Sequence, residues 1–132
     1  MKSLFILIGW CCLWVVPVWA GPTQTILEGY RAAGAGDFSA ARGQALYHKS
    51  FPGENPHEQR QCITCHHKDP KQPGQHPKTG KRIPPLAPSA DPARLQDPAH
   101  VEKWFERNCT WTVGRSCTPQ EKGDFLTFLL AL

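Results

Sequence analysis

The 132-residue chain has a single methionine, Met1, so beyond its first residue no thioether is available as a metal ligand. No dense basic helix or arginine-rich tract occurs, which excludes the electrostatic footprint of nucleic-acid binding. Repeats are absent, no linker stands out between domains, and no segment alternates apolar with polar residues as a half-buried strand does. Long apolar runs are confined to the start. Lys2 supplies a basic end, residues 4–16 are almost wholly apolar, and "VWA" closes on the small residue Ala20. This is the layout of a secretory signal peptide over residues 1–20, with cleavage expected after Ala20. A retained membrane anchor is the competing reading, because residues 3–20 approach a bilayer-spanning length.

What remains, residues 21–132, is enough for one small domain. Leaving out Lys2, it carries fourteen basic and eleven acidic side chains, a net +3. Ile26, Leu27, Tyr30 and Ala33 make a helical face ended by the glycines of "GAGD". Asp37 or Ser39 can cap a second helix carrying Phe38, Ala41, Ala45 and Leu46. From Lys68 to Pro92 seven prolines make a long helix or central strand untenable, so the segment reads as loop. A loop of that length either serves a function, such as wrapping a flat prosthetic group, or is disordered over residues 70–82. Asp97 and Pro98 then open a helix whose Val101, Trp104, Phe105 and Asn108 recur at helical spacing. Thr118, Pro119 and Glu121 start a last helix with a capping box, and Phe125, Phe128, Leu129 and Leu132 form its buried face. The expected fold is all-α.

Chemistry concentrates at "QCITCHHKDP", residues 61–70. Two thiols separated by two residues and followed by histidine suit covalent c-type haem attachment: Cys62 and Cys65 form thioethers and His66 meets the iron. A thioredoxin-like disulfide lacks its βαβ surroundings. Half a zinc site would need Cys109, Cys117 or a histidine to complete it, and the 109–117 spacing is poor for that. Export favours paired thiols, and with Cys62 and Cys65 given to the haem, Cys109 and Cys117 are left to pair. His67, adjacent to His66, cannot reach the iron's opposite face. The carbonyl of Pro84 or Pro85 could hold the other ring nitrogen of His66. For the far face the candidates are a histidine (His48, His57, His76 or His100), a lysine, Asn108, water or no ligand at all. The Asn108 amide could ligate iron or equally could cap the end of its helix.

Further motifs extend the pattern: "ILEGY" at 26–30, "ARGQALY" at 41–47, "TGKRIPPLAPSA" at 79–90, "VEKWFERNC" at 101–109 and "GRSCTPQEKGD" at 114–124. With "CITCH" at 62–66, they make residues 24–131 resemble the sphaeroides haem protein family, monohaem class I-type cytochromes c that bind oxygen. The resemblance implies a small cytochrome c-like domain around one covalent haem, attached through Cys62 and Cys65 and located in the periplasm. It implies His66 and Asn108 as iron ligands in the oxidised state and a Cys109–Cys117 disulfide. Release of Asn108 on reduction would then admit oxygen, nitric oxide or carbon monoxide. The implied redox partner is a dihaem cytochrome c or a membrane cytochrome b. A terminal oxygen or nitric oxide reductase and a haem-based gas sensor are the alternative functions, although no acid–base constellation points to turnover. Lys68, Lys71, Lys78, Lys81 and Arg82 form a loose basic stretch beside the fork, either a solvated loop or a docking rim for an acidic redox partner.

Overall fold

The structure, a computed structural model, describes residues 21–54 and 58–132. The expected signal segment and His57 lie outside the described residues. Four α-helices carry the architecture: α1 (Pro22–Ala32), α2 (Ala40–His48), α3 (Pro98–Val113) and α4 (Pro119–Leu130). Among the described residues no helix is long and apolar enough to cross a membrane.

Each helix begins where local chemistry allows it. Ser39, rather than Asp37, caps α2 by accepting from Arg42 N, while the Asp37 carbonyl accepts from Arg42 and Gln120. Asp97 accepts from Ala99 N and His100 N at the start of α3. Thr118 and Glu121 form the reciprocal capping box of α4.

The core has two connected parts. Ile26, Leu27 and Tyr30 of α1 pack with Val101 and Leu126, and Tyr47 of α2 packs with Phe128 and Leu129 of α4. Leu95 contacts both parts from the loop before α3, holding a positive φ of 62° that is uncommon outside glycine. The α2–α4 crossing is close because of Gly43, where a Cβ would stand 2.1 Å from the Asp124 carbonyl oxygen. Beside it Arg42 grips the buried Asp124 carboxylate with bonds of 2.7 and 2.8 Å, and Ser39 N adds a third at 2.7 Å. Burial alone would raise the Asp124 pKa, but these donors and Gln120 outweigh it and hold the carboxyl below its ordinary value. Tyr30, Glu102 and Lys122 tie α1, α3 and α4 together: Tyr30 Oη donates to Glu102, and Lys122 Nζ reaches the other carboxylate oxygen at 2.6 Å.

Three expectations need correction, the first on α2: of the residues expected on its face, Phe38 precedes the helix and Ala41 and Ala45 are exposed, whereas Gly43 and Tyr47 are the buried ones. Two short antiparallel pairings exist where no strand was expected: β1 (Phe51–Pro52) with β2 (Gln59–Arg60), and β3 (Gly74–Gln75) with β4 (Arg82–Ile83). Two residues are too few to show a period. The second pairing makes a hairpin of the segment for which disorder was the alternative. Finally, the face read on α3 divides: Val101 is buried and Phe105 half-buried against α1 and α4, whereas Trp104 and Asn108 are exposed along the adjoining stripe.

Candidate haem site

The cysteine fork winds into one turn of 3₁₀ helix over Cys62–Thr64, with Cys65 N and His66 N both donating to the Cys62 carbonyl. Cys62, Cys65 and His66 therefore sit on a single turn. Neither fork thiol is bridged, and both are partly accessible. Burial, reinforced by the neighbouring Cys65, pushes the Cys62 thiol up to about 11, and burial raises Cys65 as well.

The His66 imidazole is strongly perturbed. Burial, then the nearby Arg94 charge, lowers its pKa to about 4, so the ring is neutral at ordinary pH, the form that ligates a metal. The Pro84 and Pro85 carbonyls, either of which could hold the His66 ring, accept from Arg94, whose Nη2 and Nε donate to them at 2.8 and 2.6 Å and leave each oxygen a second lone pair. A planar guanidinium serves two neighbouring acceptors at once, which one imidazole N–H cannot. The sequence reading missed Arg94, and nothing in "DPARLQ" announces a contact ten residues back.

Other elements hold the fork in place. Tyr47, fully buried in α2, donates its hydroxyl to the His67 carbonyl at 2.5 Å. Gln75 N donates to the Cys65 carbonyl at 2.9 Å, and Gly74 lets the hairpin lie so close that a Cβ there would stand 2.2 Å from that oxygen. His67 itself turns outward, its Nδ1 accepting from Asp69 N. An open cleft of about 710 Å³ runs along the fork, with Cys65, His66, Gly74 and Arg82 in its lining and no residue of α3.

Asn108 lies inside α3. The helix runs five residues further, to Val113, and ends on Gly114 at φ 82°, whose N–H returns to the Cys109 carbonyl. Asn108 is thus no C-cap, and its exposed amide makes no hydrogen bond among the described residues. Cys109 and Cys117 form a disulfide with Cα atoms 5.6 Å apart, leaving neither to complete a zinc site. Of the competing histidines, His76 Nδ1 accepts from Lys78 N and Thr79 N, and His100 Nε2 accepts from the Trp104 indole at 2.8 Å. His48 stands exposed at the end of α2.

Residues 33–129 match a family model described as a domain of unknown function (DUF1924). The chain is 46% identical over 117 residues to the cytochrome c-type protein SHP of Cereibacter sphaeroides, covering 87% of this chain and 89% of that protein. The structure of oxidised SHP, an oxygen-binding cytochrome c, superposes with a TM-score of 0.75 at 44% identity, covering 83% of this chain and 96% of that one. Cytochrome c'' of Methylophilus methylotrophus is 35% identical over 92 residues, 70% of this chain and 63% of that protein. Its solution structure, which concerns haem-ligand detachment, has a TM-score of 0.69 at 29% identity and covers 83% and 93% of the two chains.

Such relatives imply a covalent c-type haem. The residues present fit one: two unbridged thiols on one turn, a neutral imidazole next to them, and a cleft along the same turn. Fold, fork and similarity over most of both chains agree, and the chain belongs to the SHP family of c-type cytochromes.

Proposed function

We propose that the protein is an exported, periplasmic monohaem cytochrome that exchanges electrons and, when reduced, binds oxygen, nitric oxide or carbon monoxide at a site from which Asn108 has withdrawn. The haem, when bound, supplies an iron that takes up one electron and accepts axial ligands. Cys62 and Cys65 would tether it, and His66, kept neutral by burial and by Arg94, would ligate the iron. Asn108 offers a hard amide oxygen, a donor better matched to ferric than to ferrous iron, so reduction favours its departure.

One observation carries this reading. Asn108 occupies an interior turn of α3, where asparagine is a poor helix former, with no cap to make and no hydrogen bond to keep among the described residues. The oxygen binding of SHP and the ligand detachment studied in cytochrome c'' support the same reading. The test is uptake of carbon monoxide and cyanide by the purified holoprotein. The ferrous form is expected to bind carbon monoxide readily, and the ferric form to take up cyanide slowly behind its own ligand. A ferrous form that stays six-coordinate and refuses carbon monoxide contradicts the proposal.

The redox partner fits the same reading as an acidic electron-transfer protein, with a dihaem cytochrome c or a membrane cytochrome b as the candidates. Lys78, Lys81 and Arg82 ride on the β3–β4 hairpin that is bonded to the fork, and Lys68 and Lys71 flank it. None of the five forms an ion pair among the described residues, which leaves their charge available for steering.

A further inference from the structure

Arg60 stands two residues before the fork, in β2 opposite Phe51, and reaches across to α3. Its Nη1 donates to the Trp111 carbonyl at 2.9 Å, and its guanidinium carbon lies 5.4 Å from the centre of the Trp111 ring. Its Nε is buried, so the group lies between strand and helix rather than in solvent.

The contact answers a need of the helix. Trp111 lies in the last turn of α3, whose final four carbonyls have no partner within the helix. A cation favours that end of the helix dipole, and α3 has no basic residue of its own in its last turn. Arg60 supplies both the donor and the charge from another element. Trp111 is also three residues past Asn108, so the two are neighbours on the helix surface. The same stretch of α3 is held from its other side by the disulfide at Cys109.

We infer that Arg60 is a positioning residue that sets the distance between the fork and Asn108, and so governs how firmly Asn108 is held against the oxidised centre. The inference rests on Asn108 being the ligand. Only the two peptide bonds flanking Gln61 separate Arg60 from Cys62, while the hydrogen bond to Trp111 grips the turn that follows Asn108. Strand and helix are thereby locked to each other. Loosening the clamp leaves the fork chemistry intact and lets the Asn108 turn drift.

The experiment compares azide association and the ferric optical spectrum of the purified holoprotein in wild type, Arg60→Ala, Arg60→Lys, Asn108→Ala, Arg60→Ala with Asn108→Ala, and Arg115→Ala. Arg60→Ala is expected to speed azide binding about tenfold, the scale of one lost hydrogen bond to a charged group, and to raise the high-spin fraction. Arg60→Lys keeps the charge at the helix end and is expected to show a smaller change; it also serves if the alanine variant fails to mature. Arg115→Ala removes the exposed pair with Glu121 beside the bridge and is expected to lower thermal stability without altering azide binding. In the Asn108→Ala background Arg60→Ala should add nothing, because the two act through one contact. Wild-type azide kinetics in both Arg60 variants, or equal acceleration with and without Asn108, would make Arg60 purely structural and overturn the inference. If Asn108→Ala alone leaves azide binding unchanged, the ligand assignment itself fails, a result distinct from either of these.

Discussion

Gly43 and Asn108 illustrate how much a single position can decide. A side chain at Gly43 would collide with backbone, the Asp124 carbonyl 2.1 Å away, which cannot rotate aside as a flexible side chain could. Gly43→Ala is therefore expected to separate α2 from α4 and cost about 1–3 kcal/mol, read as a fall in denaturation midpoint; an unchanged midpoint would contradict the close crossing. The grouping of Cys62, Cys65 and His66 on one turn was legible in the sequence because the three are near neighbours in the chain. The interior position of Asn108 was not. β-Branched Thr110, Thr112 and Val113 are middling helix formers, and burial of Thr112 together with the Cys109 bridge carries the helix past them. Arg60 and Arg94 act across 51 and about ten residues respectively, and no local pattern encodes either contact.

At the scale of elements, the helix starts could be read in advance because a cap is a contiguous signal: Asp97 before Pro98, and Thr118 three residues before Glu121. The hairpin could not, since its register depends on Gly74 meeting the Cys65 carbonyl rather than on any alternation. The α4 cap also carries a pH dependence. Hydrogen bonds from Arg115, opposed by some burial and aided by Thr118, hold the Glu121 carboxyl down to about 2 from an ordinary 4.5. A depressed carboxyl stabilises the folded state above its unfolded pKa, and that stability is lost as pH falls from about 4.5 through about 2. Glu121→Gln is expected to flatten this part of the curve of melting temperature against pH, leaving the curve above pH 5 parallel to wild type. An identical acid slope in the variant would assign the loss to other carboxylates, Asp124 first among them. Reducing the Cys109–Cys117 bridge should lower stability by roughly 2–3 kcal/mol for a loop of this size; equal denaturation midpoints with and without reductant would argue against the bridge as a stabiliser.

For the whole molecule, the all-α class followed from the helical faces and caps, whereas the arrangement of the two core parts around Leu95 did not, because it depends on a loop residue in an uncommon conformation. The mature holoprotein should have the mass of residues 21–132 plus one haem, and a haem-free product from a host competent for cytochrome maturation contradicts covalent attachment. If the hairpin cations steer an acidic partner, electron exchange with that partner should slow as ionic strength rises, and a flat dependence would remove the docking role. The central claim, that Asn108 closes the oxidised site and opens it on reduction, is tested most directly by the ferric electron paramagnetic resonance spectrum of Asn108→Ala beside wild type. The account predicts that the variant keeps its covalent haem and its ferrous carbon monoxide binding while the ferric signal moves to a five-coordinate or water-ligated form. A ferric spectrum identical to wild type, or loss of the wild-type signal on replacing His48, His76 or His100 instead, would contradict it.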